Sequence, residues 1–220
     1  MLRNYLALND YLCRVAASFN NTLYTAGKRG VMFKKRTHQN WSTMSTYYQN
    51  IDLSNFWEDS DYARKEYVCP PVTSETVKEI ETVLGYKLPD SYVELMKTQN
   101  GGHPINRAMP CKEPTSWAKD HIAITGIFGI GKEKTWSLCG SLGSQFMIDE
   151  WEYPNIGVYI CDCPSAGHDM VALDYTECGE KGEPCVVHVD QECDYKTTFL
   201  ASSFSEFVVS LVHEYQFDFD

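Results

Sequence analysis

Hydrophobic positions along the chain switch between two periods. Near residue 74 they recur at helical spacing: Val77, Ile80, Val83 and Leu84 predict an amphipathic helix that starts at Thr73 or Ser74 and stops at Gly85. Leu88-Pro89-Asp90 restarts the chain as a second helix with Tyr92, Leu95 and Met96 on one face, and Asn100-Gly101-Gly102 ends it. From 121 onward short β-rich runs alternate with turn residues, predicting strands at His121–Phe128, Gln145–Ile148, Ile156–Cys161, Met170–Tyr175, Cys185–Asp190 and Thr197–Leu200. A final helix opens on the capping box Ser203-Phe204-Ser205-Glu206. Its stripe, Phe204, Phe207, Val208, Leu211, Val212 and Tyr215, must pack against the sheet. The fold class is therefore α+β: a mixed, mostly antiparallel sheet of about six strands flanked by helices.

Before residue 56 the pattern is weaker. Leu2, Leu6, Leu12 and Val15 suggest at most one short helix, followed by a basic stretch through Lys28, Arg29, Lys34, Lys35 and Arg36. Residues 1–43 carry seven Lys or Arg and one acid, whereas 44–220 carry 12 and 29, which accounts for the net charge of −11. This divides the chain into a poorly ordered basic tail, 1–55, and a folded acidic domain, 56–220. Two other readings of the tail are an organellar transit peptide and an extension ahead of a translation start at Met44. The 220 residues suffice for one well-buried core, and no apolar run approaches the roughly 18 residues of a membrane helix. Nine cysteines, an odd number, with no signal-peptide core, point to reduced thiols and a cytoplasmic location.

Four near-motifs test for chemistry. Gly126 to Lys132 satisfies the spacing of a phosphate-binding loop, but Glu133 stands where a hydroxyl should hold magnesium; close backbone approach explains the glycines better. Cys161, Cys163, Cys178, Cys185 and Cys193 could supply thiolates to zinc, yet their spacing is poor. Ser165, His168 and Asp169 have the residue types of a hydrolase triad within one short turn, without a nucleophile elbow. Asp190 to Asp194 resembles the start of a calcium loop, with Tyr195 where glycine is required. The expectation is no enzyme, no catalytic residue, no metal and no cofactor.

What remains is charge. Between Asp149 and Asp194 stand twelve acids and a single base, Lys181. Such a surface repels nucleic acid and anionic membranes and attracts basic partners. Glu150-Trp151-Glu152-Tyr153 joins carboxylates to large apolar contacts, the composition of a binding hot spot; Trp151 is equally well suited to the core. The candidate partner-binding residues are Glu150, Trp151, Glu152, Tyr153, Asp162, Asp169, Asp190, Glu192 and Asp194.

Gly85-Tyr86-Lys87-Leu88-Pro89, followed by Tyr92, Leu95 and Asn100-Gly101-Gly102, resembles the signature of the SUKH superfamily, which includes cell-wall assembly regulators of the Smi and Knr type. Ile124 to Ile127, Ile156 to Val158, His168 to Met170, Leu173 to Tyr175 and Phe204 to Val212 follow in the order of a bacterial member, so the likeness spans roughly 57–217. The resemblance implies an immunity protein that neutralises a cognate polymorphic or contact-dependent toxin, often a nuclease, by direct binding. It carries no catalytic residues. The expected partner is a basic protein toxin, with no nucleic acid and no membrane, and the protein a monomer or weak dimer. The alternative is a regulatory scaffold or adaptor of the Smi/Knr type.

Overall fold

The computed structural model describes residues 46–49 and 51–217. Its contacts divide the chain into units 1–49 and 50–220. Of the first unit only 46–49, a bend and turn, are described, so the expected tail lies almost wholly outside the described residues.

In the second unit helix α1 covers Asp61–Glu66, α2 Ser74–Leu84 and α3 Asp90–Met96. Helix α2 begins where expected, because the Thr73 hydroxyl accepts the Thr76 amide, and ends where Gly85 turns left-handed at φ 78°. Of its expected stripe only Ile80 is fully buried; Val83 lies exposed. Helix α3 buries Tyr92, Leu95 and Met96, and Pro89 stands at its N-cap.

Strands β1 (Ala108–Pro110) and β2 (His121–Ala123) form an antiparallel ribbon. The main sheet has the order β3-β4-β5-β6-β7, from Gly126–Ile127, Gly157–Asp162, Asp169–Asp174, Cys185–Asp190 and Lys196–Ala201. Every strand pair is antiparallel. The architecture is α+β, with the expected 121–128 strand broken into β2 and β3. Strands β4, β5 and β6 are buried over almost their whole lengths, which means that both faces of the sheet are covered.

Two expected elements differ. Gln145–Ile148 is not a strand but part of helix α4 (Ser144–Trp151), whose buried residues Ser144, Met147 and Trp151 recur at i, i+3 and i+7. A four-residue apolar window hid that period. The Ser144 hydroxyl accepts the Tyr159 amide at 2.9 Å, fixing the helix start to β4. The last helix, α5, spans only Phe204–Ser210. Leu211 turns extended and Val212 pairs with Ala108 through two backbone hydrogen bonds, so strand pairing overrides helical propensity there. Tyr215 is left 82% exposed. The packed part of the stripe, Phe204, Phe207 and Val208, stabilises the fold by roughly 1.5–3 kcal/mol for each buried side chain. Phe204 meets Tyr92 of α3 with ring centroids 4.6 Å apart.

Candidate functional site

Three segments meet at one corner of the second unit: the C-terminal end of α4, the turn from Pro164 to Gly167 between β4 and β5, and the turn from Gln191 to Tyr195 between β6 and β7. Tyr195 donates its hydroxyl to the Trp151 carbonyl at 2.6 Å, and Tyr153 donates to the Gly167 carbonyl at 2.8 Å. The Tyr153 and Tyr195 rings stand edge to face, 5.2 Å apart, and Trp151 stands edge to face with His168 at 5.7 Å. His168 Nδ1 lies 2.8 Å from Glu192, and its carbonyl accepts the Gln191 amide.

This corner is also where backbone strain gathers. Among the described residues the non-glycine residues with left-handed backbone are Glu152, Ala166, Asp194 and Tyr195, and all four lie in these three segments. A bulky residue such as Tyr195 at φ 56° costs about 1–3 kcal/mol unless its surroundings hold it, and its hydroxyl bond to Trp151 does so. Tyr195 thus takes the backbone shape that had seemed to demand glycine.

The nine candidate contact residues separate into two groups. Glu150, Glu152, Glu192 and Asp194 are exposed around this corner. Trp151, Tyr153, Asp162, Asp169 and Asp190 are buried, which removes them from any direct contact surface. The physical reason is the doubly covered sheet: strand acids have no solvated face to point to. Each has a partner inside instead. Asp162 accepts the Tyr67 hydroxyl at 2.8 Å; burial raises its carboxyl to about 7, with that hydrogen bond acting the other way. Burial also pushes Asp190 upward, but the Ser116 amide and hydroxyl, both at hydrogen-bond distance, more than offset it and hold the group below the usual range. Asp169 lies 2.7 Å from His188 Nε2.

Asp169 and His188 belong to a cluster that sequence reading missed. The register sets Asp169 opposite Asp190 and Val171 opposite both His188 and Cys161, so Cys161, Asp169, His188 and Asp190 share one face of the sheet. Cys163, just beyond β4, reaches the same place. Its sulfur, an Asp169 oxygen and a His188 ring nitrogen all lie within 4.8 Å of one another, and all three residues are buried. Burial, then the negative charge of Asp169, pushes the Cys163 thiol well up. The one available signal was a histidine inside the otherwise apolar run Cys185 to Val189.

The other near-motifs resolve into structural roles. Ser165 accepts the Asp169 amide, His168 faces Glu192 and Asp169 faces His188, so the three do not form a catalytic relay. Of the five cysteines first considered for zinc, Cys178 and Cys193 are exposed and only Cys163 joins the cluster. At the phosphate-loop look-alike, a Cβ on Gly129 would come within 2.4 Å of the Asn100 carbonyl oxygen, and one on Gly101 within 2.6 Å of the Gly129 nitrogen. Protein backbone fills the space a phosphate would need. Asn100 ties the two segments together: its side-chain amide donates to the carbonyls of Pro70 (2.7 Å) and Ile130 (3.0 Å) and its oxygen accepts the Ile130 amide at 2.7 Å.

A family model described as SMI1-KNR4 cell-wall, of the SUKH group, matches residues 74–208. The chain belongs to the SUKH family. The match runs from the first residue of α2 into α5 and includes the Asn100-Gly101-Gly102 tie, the whole main sheet and the strained corner. SUKH proteins are generally non-enzymatic, and the family admits both immunity-type and Smi/Knr-type roles. Among curated proteins nothing matches this chain. No helix among the described residues is long and apolar enough to cross a membrane.

Proposed function

We propose that this SUKH protein is a cytoplasmic, non-enzymatic immunity protein that neutralises a cognate basic toxin by direct binding. The observation that carries the reading is the corner formed by α4 and the two turns, which holds Glu150, Glu152, Glu192 and Asp194 exposed on an aromatic base of buried Trp151 and Tyr153 and half-buried Tyr195. Of the twelve acids between Asp149 and Asp194, eight are exposed, so burial of Asp162, Asp169 and Asp190 and half-burial of Asp174 still leave a strongly negative surface. Such a surface accelerates encounter with a cationic protein, and backbone held in place by tyrosine hydrogen bonds lowers the ordering cost of binding.

Co-expression with the toxin encoded by the neighbouring gene tests this: growth is rescued and a complex co-purifies. Absence of both rejects it. A second reading, a regulatory scaffold of the Smi/Knr type, is favoured by the cell-wall description of the matching family. It predicts no toxin gene nearby and no rescue.

A further inference from the structure

We propose that Cys163, Asp169 and His188 form a buried site for a divalent cation of the zinc class, which clamps both ends of the turn before β5 to strand β6. The three residues are 2%, 3% and 0% exposed, and their ligand atoms gather within 4.8 Å. Two buried atoms here lack a hydrogen-bond partner, Asp169 Oδ1 and His188 Nδ1. Buried polar atoms are seldom left unsatisfied, and the free Asp169 oxygen beside a thiol marks a place for a missing ligand, which His188 would meet through the Nε2 that already faces Asp169.

The donor set fixes the class of ion. A thiolate, a carboxylate and a neutral imidazole sum to a charge of −2, which a divalent cation cancels, so the filled site is neutral in a dry interior. Magnesium and calcium are excluded because they require oxygen ligands. With metal–nitrogen or –oxygen bonds of about 2.0 Å and metal–sulfur bonds of about 2.3 Å, tetrahedral ligands stand about 3.3–3.6 Å apart. The cluster reaches that by opening the 2.7 Å His188–Asp169 contact and drawing the outer atoms in by about 1 Å. Binding releases the thiol proton to solvent, and no electron moves. Three protein ligands leave the fourth position to water or another small donor.

The placement gives the ion a purpose. Cys163 and Asp169 bracket the turn that contains left-handed Ala166 and the Trp151-facing Gly167. Tying both to His188 on β6 would fix the floor of the strained corner. The ion would do this whatever partner the protein binds.

The test uses the full chain, stripped with a chelator and titrated with Co²⁺ alone. One equivalent should give the visible bands of tetrahedral cobalt and a thiolate-to-metal band in the near ultraviolet, both abolished by one equivalent of Zn²⁺ and unaffected by excess Mg²⁺. Zinc at a hundredfold excess over its dissociation constant should raise Tm by about 5–10 °C. Cys163→Ser and His188→Asn, checked for folding by circular dichroism, should lose the thiolate band and the full site respectively. Should either fail to fold, the double variant Cys178→Ser/Cys193→Ser decides, since it removes the exposed thiols among the described residues and must keep the spectrum. A missing thiolate band in the wild type, or its loss in that double variant, overturns the proposal and leaves a metal-free hydrogen-bonded cluster.

Discussion

Replacing Asn100 by alanine tests whether the Asn100-Gly101-Gly102 signature is a structural tie. Asn100 is 3% exposed and makes three side-chain hydrogen bonds. Asn100→Ala strands the amide and the carbonyl of Ile130, a residue with no exposed surface, while the carbonyl of exposed Pro70 can turn to water. A buried group left unsatisfied costs about 1–3 kcal/mol, so the variant should lose about 3–5 kcal/mol. At about 2–4 °C per kcal/mol for a domain of this size, Tm should fall by about 6–20 °C. Asn100→Asp should be at least as damaging, because a carboxylate would face two carbonyl oxygens. Urea unfolding followed by tryptophan fluorescence measures this, with the midpoint shifting and the slope unchanged. A loss below about 1 kcal/mol would refute the reasoning, as would a Tm increase on adding ATP and magnesium, which would return Gly126 to Lys132 to a phosphate-binding role.

Three further outcomes follow from the same contacts. Gly129→Ala should cost about 2–3 kcal/mol in the same urea assay, because its Cβ would meet the Asn100 carbonyl oxygen at 2.4 Å and backbone must move. Ser203→Ala should cost about 1 kcal/mol and lower Tm by about 2–4 °C, since the Ser203 hydroxyl accepts the Glu206 amide at the start of α5. Burial, then the positive charge of Arg107, lowers His103 from 6.5 to about 4. The unfolded chain therefore takes up a proton first as pH falls, so this histidine destabilises progressively between about pH 6.5 and 4 and reaches roughly 3 kcal/mol. Asp162, raised from 3.8 to about 7, acts with the opposite sign in an overlapping window, so the informative quantity is the wild-type stability minus that of His103→Gln across that range. A difference that does not change with pH would contradict the burial of an uncharged His103.

Where local chemistry decided the structure, the residues announced it. Thr73 and Gly85 bound α2 through a hydroxyl cap and a left-handed turn that depend on near neighbours alone. The strands β4, β5 and β6 were visible as short apolar runs. Contacts distant in sequence were not. Helix α4 depends on Ser144 bonding to Tyr159, and α5 stops because Val212 is claimed by Ala108. The acids of β4, β5 and β6 looked like surface because nothing in the sequence shows that both faces of the sheet are covered. The same long-range register joins Cys163, Asp169 and His188, which no spacing rule connects. Of the candidate contact surface, the acidic block was legible from charge counting, and the separation of Glu150, Glu152, Glu192 and Asp194 from their buried neighbours required the fold.

The most direct test of the acidic corner is the association rate of the purified protein with the cognate basic toxin that the proposed function requires, measured by stopped flow over a range of salt. The quadruple variant Glu150→Gln, Glu152→Gln, Glu192→Gln and Asp194→Asn changes charge at four exposed positions with little change in shape. Electrostatic steering predicts that its association rate falls about tenfold or more at low salt and that the steep salt dependence of the wild type flattens. Equal rates and equal salt dependence for the two proteins would contradict the account.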